Sequence, residues 1–284
     1  GYVPSPWSAF QGVRKLPPAH YLLCHDGKVE VVRYWRLRRD QKFRRSEEEW
    51  CEEILARLEE AVRLRLISDV PLGAFLSGGI DSSAVVAMMS RAGSGAVKTF
   101  SIGFQEPEYD ELRYARLVAE RFGTDHHELV VRPDAAAILP KLAWHYDEPF
   151  GDSSAVPTYY VAQMTRQYVT VALNGDAGDE NFGGYDRYVA NLLAASFDRW
   201  PGAGLLRHAI RGGLRLWPRS GRRRTLFSRG RRFLEGLVEL PERRYARWFC
   251  HFYGERMGEL CSPEFRAAVA DADGLEVLLA AYRE

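Results

Sequence analysis

This chain of 284 residues has only four cysteines, and Cys24, Cys51, Cys250 and Cys261 show no C-x-x-C spacing. That spacing indicates neither a zinc site nor a disulfide framework, and it fits a reducing cytoplasm best. No apolar stretch reaches the ~18–20 residues a membrane-spanning helix needs. Charge of one sign is also lacking: 39 Lys and Arg face 38 Asp and Glu, a formal net charge of +1. That balance argues against binding nucleic acid or a membrane through the charge of the whole molecule. The opening residues have no secretory leader pattern, and the first residue is Gly1 rather than methionine, as expected of a processed or partial product. What remains is ordinary globular composition, 46% hydrophobic and 27% charged, in a length that suits one large or two modest domains.

No lysine follows the glycine pair in Ala74-Phe-Leu-Ser-Gly-Gly-Ile-Asp-Ser-Ser83, so the common Gly-x-x-x-x-Gly-Lys-Ser/Thr phosphate loop is excluded. The stretch still has anion-binding chemistry. An apolar run at 70–76 precedes it and an apolar run of helix formers at 84–89 follows, so it reads as a strand-to-helix turn. Such a turn aims free N–H groups and the positive end of a helix dipole at a ligand. Gly78 and Gly79 allow close backbone approach, and Ser77, Ser82 and Ser83 add donors. Asp81 cannot bind phosphate directly and therefore suggests a bridging Mg²⁺. The plainer reading is a Gly-Gly turn in which Asp81 caps the helix.

Residues 1–37 are rich in Pro, Gly and aromatics, and the alternation at 29–35 has β-hairpin character. A polar linker at 41–46 leads to an amphipathic helix over 47–67, with Ser46 as N-cap and Glu49 completing a capping box. Strands are then expected at 71–76, 97–104, 128–131 and 169–173. Helices are expected at 82–91, 110–122 (ended by Gly123), 134–146 and 154–167. This alternation predicts an α/β fold, a doubly wound parallel sheet with helices on both faces and ligands at the carboxyl ends of the strands. Residues 199–232 hold eleven arginines and no acidic residue, with Leu205, Leu206, Ile210 and Leu214 interleaved. Part of this is expected to be a basic amphipathic helix, either an RNA, membrane or partner surface or a solvated insertion whose acidic partners lie elsewhere. The second reading is favoured because stacking aromatics are sparse.

The strand at 169–173 runs into Asn174-Gly-Asp-Ala-Gly-Asp-Glu-Asn-Phe-Gly-Gly-Tyr185. So many carboxylates this close repel unless a cation or donors neutralise them, which suits a metal–phosphate loop better than a core element. A generic acidic turn is the alternative.

Together the two loops resemble a known family. Ser77-Gly-Gly-Ile-Asp-Ser-Ser83 resembles the pyrophosphate loop of the N-type ATP pyrophosphatases. Gly175–Tyr185 resembles the acidic loop of glutamine-hydrolysing asparagine synthetases. Thr99-Phe-Ser-Ile-Gly-Phe104, Asp125-His-His-Glu128 and Asp147-Glu-Pro-Phe150 with Asp152, Ser154, Pro157 and Thr158 match in order. The resemblance implies an adenine nucleotide α-hydrolase-like synthetase domain over 41–190. It further implies the tail of a glutaminase domain over 1–40 and a mainly helical, Arg-rich continuation over 191–284. The implied reaction adenylates the aspartate side-chain carboxylate with ATP, and ammonia from glutamine then displaces AMP.

By resemblance, Leu76 and Ile102 would hold adenine and ribose through their backbone, and Ser77, Gly78, Gly79, Ser82 and Ser83 the phosphates. Asp81 and Asp179 would ligate Mg²⁺, Asn174 and Gly175 would lie beside the nucleotide, and Asp176 near the reacting carboxylate and ammonia. The implied partners are small molecules, with a homodimer as the assembly and neither membrane nor nucleic acid. Most of the glutaminase domain would precede this chain, which is expected not to hydrolyse glutamine by itself. A family lysine that assists at the phosphates would lie beyond Glu284, leaving at most very weak pyrophosphate exchange. Three positions depart from the family: Asn174 for serine, Ala177 for glycine, and Asp176, where one branch has glutamate. A glycine replaced by Ala177 strains the loop if positive φ is required there. Two rivals share these loops: a related amidotransferase or cyclising synthetase acting on another carboxylate, and a nucleotide-binding module without catalysis. His126 and His127 read as a strand-edge structural pair, since neighbouring strand residues face opposite ways. Cys250-His251 reads as core.

Overall fold

A computed structural model of the chain describes residues 1–38, 41–93, 95–105, 110–217, 225–250, 258, 260–269 and 274–283. The chain divides into two compact units, one over Tyr2–Asp179 and one over Glu180–Glu284 with Gly1.

In the first unit, β1 (His20–His25) and β2 (Lys28–Arg33) form an antiparallel hairpin that turns through Asp26 and Gly27, both at positive φ. Helix α1 (Glu47–Arg65) begins as its residues dictate. Ser46 accepts from the Glu49 amide at 3.2 Å, and the Glu49 carboxylate accepts from the Ser46 amide at 2.7 Å. Then follow β3 (Leu72–Phe75), α2 (Ile80–Ala92), β4 (Lys98–Phe104), α3 (Leu112–Phe122), β5 (Asp125–Val131), α4 (Ala135–Tyr146), α5 (Ala155–Thr165) and β6 (Val171–Leu173). The strands form one four-stranded parallel sheet in the order β5-β4-β3-β6.

The sheet is buried by period-two alternation. Ala74 and Leu76 join Val62, Val85, Val86, Met89, Ala115 and Ala119 in a core that ties α1, α2 and α3 to one face. Phe75, Phe100 and Ile102 face the other way, onto Val161 and Met164 of α5. This is the doubly wound α/β arrangement expected. The boundaries shift locally. Helix α2 starts at Ile80 rather than 82 because Gly79 is its N-cap, and Gly123 ends α3 in the left-handed region at φ 60°. Strand β5 starts three residues earlier than expected because Asp125, His126 and His127 pair in register with Lys98, Thr99 and Phe100.

The second unit is helical: α7 (Asp186–Asp198), α8 (Ala203–Leu216), α9 (Leu226–Leu237), α10 (Pro241–Phe249), α11 (Pro263–Ala268) and α12 (Glu276–Arg283). The short helix α6 (Gly178–Phe182) carries the chain into it. Arg244 is only 1% exposed and is held by both Asp198 oxygens at 2.8 and 2.9 Å. Three of the described arginines of 199–232 pair with acids outside that stretch: Arg207 with Asp198, Arg229 with Asp186 and Arg231 with Glu235. That pairing is what a solvated helical insertion requires. Residues 218–224 of the stretch, and His251, lie outside the described residues. Cys250 packs against Ala246, Leu275 and Leu279, and burial pushes its thiol pKa up.

Candidate active site

The turn from β3 into α2 is closed by its own hydroxyls. Ser77 Oγ lies 3.0 Å from Ser82 Oγ and accepts from the Gly79 amide at 3.2 Å. Ser82 Oγ donates to the Gly79 carbonyl at 3.2 Å and accepts from the Ser77 amide at 3.3 Å. Among the described residues no side chain caps α2. Asp81 therefore does not act as the cap the plainer reading required, and the first-turn N–H groups are left for another acceptor.

Gly78 is glycine for two reasons. Its φ is +81°, and a Cβ there would come within 2.5 Å of the Tyr114 carbonyl carbon and 2.6 Å of the Ala115 amide nitrogen. The start of α3 thus packs directly behind the loop. Gly79 has an ordinary φ of −68° and needs no such freedom.

The acidic loop closes on the same helix end. A Cβ on Gly175 would lie 2.7 Å from the Ser82 amide nitrogen and 2.9 Å from Asp81 Cβ, and one on Gly178 would overlap the Asp81 carboxyl group. Two glycines therefore let a second strand-end loop seat on Asp81. The two loops, far apart in sequence, meet because β3 and β6 are adjacent in the sheet. Between those glycines, Ala177 sits at φ +72°. The left-handed backbone that the alanine puts under strain is in fact present. Asn174 Nδ2 donates to Asp176 Oδ2 at 2.8 Å, and Asn174 Oδ1 accepts from the Asp176 amide at 3.3 Å.

Leu76 is buried, and its amide donates to the Phe100 carbonyl at 2.9 Å while its carbonyl accepts from the Ser101 hydroxyl. Ile102 follows one residue on. Ser101, Tyr114 and Gly178 support these loops without having stood out in the sequence. A hydroxyl inside a strand, a helix residue and one more loop glycine carry no local signal of what they will touch. Ser83 Oγ is buried and has no hydrogen-bond partner among the described residues.

The histidine pair lies elsewhere and is divided between the faces of β5. His126 Nδ1 is 2.8 Å from Thr99 Oγ1, and burial pushes the His126 pKa below its ordinary value against the pull of Glu128. The His127 ring stacks on Phe100 and Tyr168 with centroids 5.4 and 4.0 Å away. A hollow of about 340 Å³ beside them is lined by His126, His127, Gln163, Met164 and Tyr168. Glu128 is committed to Arg116 through two bonds of 2.8 and 2.7 Å, the main reason its pKa is lowered. These are the contacts of a structural pair.

Residues 53–273 match the family model described as asparagine synthase. The chain belongs to the asparagine synthase family. It is 44% identical over 189 residues to a putative asparagine synthetase (glutamine-hydrolyzing) 2 of Methanocaldococcus jannaschii, covering 65% of this chain and 36% of that protein. To asparagine synthetase (glutamine-hydrolyzing) 1 of Bacillus subtilis it is 32% identical over 231 residues, covering 81% and 36%. Amidase chry2 of Gibberella zeae is 35% identical over 214 residues, with 68% and 32% covered. The chain thus spans about a third of the length of these asparagine synthase relatives.

The candidate metal ligands can be judged on donor chemistry. Among the described residues neither the Asp81 nor the Asp179 carboxylate is engaged in a hydrogen bond or ion pair, and no group of three or more His, Cys, Asp or Glu could hold a metal alone. Carboxylate oxygens without a protein partner among the described residues are the donor type that suits a hard cation such as Mg²⁺.

Proposed function

We propose that this protein is an AMP-forming carbon–nitrogen ligase of asparagine-synthetase type. ATP would adenylate the side-chain carboxylate of aspartate, and ammonia derived from glutamine would displace AMP to give asparagine. The observation that carries the reading is the seating of Gly175 and Gly178 on Asp81, at the uncapped end of α2.

In this reading Ser77, Gly78, Gly79, Ser82 and Ser83 bind the β- and γ-phosphates. Asp81 and Asp179 would hold Mg²⁺, which neutralises charge on the phosphate oxygens. An aspartate oxygen attacks the α-phosphorus, and the bond to the β-phosphate oxygen breaks with its electron pair on pyrophosphate. The first-turn amides of α2 stabilise that developing charge without reorganising. Ammonia then attacks the acyl carbon, the carbon–oxygen bond to AMP breaks onto AMP, and Asp176 would take the released proton. Leu76 and Ile102 would hold the nucleoside through their backbone. Residues 1–40 are read as the tail of a glutaminase domain, and the cytoplasm as the site of action.

The likeness to amidase chry2 favours a second reading in which the same nucleotide loops serve another carboxylate. Pyrophosphate exchange by the full-length gene product, run with a panel of carboxylates, separates the two: aspartate alone should support exchange. Exchange with another carboxylate and none with aspartate would establish the second reading, and exchange with none would refute both. In calorimetry, Asp81→Ala or Asp179→Ala should abolish the Mg²⁺ dependence of ATP binding; full retention in both would remove the metal assignment.

A further inference from the structure

Asn174 stands at the mouth of the acidic loop, where resemblance assigns it to the nucleotide. Each polar atom of its amide already makes one hydrogen bond to Asp176. Nδ2 donates to Asp176 Oδ2 at 2.8 Å, and Oδ1 accepts from the Asp176 backbone amide at 3.3 Å. The orientation is unambiguous, because a reversed amide would set its NH₂ against a backbone N–H and its oxygen against a carboxylate oxygen. Both polar atoms of the side chain are therefore directed at one residue two positions away.

We propose that Asn174 is a positioning residue for Asp176 rather than a nucleotide contact. It fixes the Asp176 carboxylate so that Oδ2 is held as an acceptor and Oδ1 is left to act on the incoming ammonia. An amide nitrogen can only donate, so Oδ2 is engaged as an acceptor. The backbone around this pair is held as well. Gly175 is pressed on the α2 amides, the Gly178 amide donates to the Gly175 carbonyl at 3.3 Å, and Ala177 occupies the left-handed region. With the main chain fixed on either side, the remaining freedom of Asp176 is rotation of its side chain, which Asn174 removes. A carboxylate locked in one rotamer acts on a small, weakly held nucleophile with less loss of alignment.

This inference rests on the ligase reading above, and its test separates the two. Asn174 and Asp176 are both exposed, so substitution at either leaves the fold intact. In the full-length gene product, Asn174→Ala should leave Mg-ATP affinity and carboxylate-dependent pyrophosphate exchange within about twofold of wild type. Ammonium-dependent amide formation should fall about tenfold to a hundredfold, the range for a hydrogen bond to a charged group. With Asp176 already changed to alanine, adding Asn174→Ala should change amide formation by less than twofold, because a residue that acts only through Asp176 has nothing left to position. Equal losses in nucleotide binding and amide formation would overturn the proposal and make Asn174 a nucleotide contact. The same loss in both backgrounds would overturn it too. No exchange by wild type with any carboxylate would overturn the ligase reading and this inference with it.

Discussion

Replacing Gly78 by alanine should be far more damaging than replacing Gly79, although the two are neighbours in one Gly-Gly pair. At Gly78 the backbone is left-handed, φ +81°, which costs an L-residue roughly 1–2 kcal/mol. The new methyl would also meet the Tyr114 carbonyl carbon at 2.5 Å and the Ala115 amide at 2.6 Å. Those are backbone atoms of a packed helix and cannot rotate aside, so overpacking adds about 1–3 kcal/mol. At Gly79 φ is −68° and the nearest atom is the Ser77 hydroxyl at 3.3 Å, which can turn away. Both substitutions stiffen the unfolded chain equally, by ~0.4–1 kcal/mol, so that gain cancels between them. The expected difference is about 2–5 kcal/mol, a large share of the ~5–15 kcal/mol that keeps a domain folded. Urea unfolding of the two variants measures it, and Mg-ATP calorimetry shows whether the nucleotide binding proposed for the turn survives. Gly78→Ala as stable as Gly79→Ala would mean that α3 does not back the loop, and the geometric account of the turn would fail.

Asp198→Ala should cost about 3 kcal/mol, measured by urea unfolding, because it leaves the Arg244 guanidinium buried and unpaired. Asp198 is itself a fifth exposed, which keeps the figure at the low end for a buried pair, and an unchanged midpoint would refute it. His126 should make stability depend on pH. Burial lowers its pKa in the folded state, so below about pH 6.5 the unfolded chain takes up the proton first and stability falls with falling pH. His126→Gln should flatten the fall in unfolding free energy that sets in below about pH 6.5; an unaltered slope would place the titration elsewhere.

The sequence by itself determined the architecture and pointed to the family. Alternating apolar strands and amphipathic helices admit few arrangements other than a parallel sheet with two covered faces, and Gly123 and the Ser46–Glu49 box set helix ends by local geometry alone. The two loops were legible because glycine, serine and aspartate at a strand end are expensive without an anion or a cation to meet. Membership of the asparagine synthase family bears that recognition out. Only the tertiary structure decided what each loop residue touches. Gly78 and Gly79 are indistinguishable as letters, yet one faces the α3 backbone and the other a rotatable hydroxyl. Gly178 became a seat for Asp81, and Ser101 a donor to Leu76, because adjacent strands β3, β4 and β6 bring distant segments together. Local pattern is set by the backbone's own periodicity. Contacts across a sheet depend on strand order and register, which no single segment encodes.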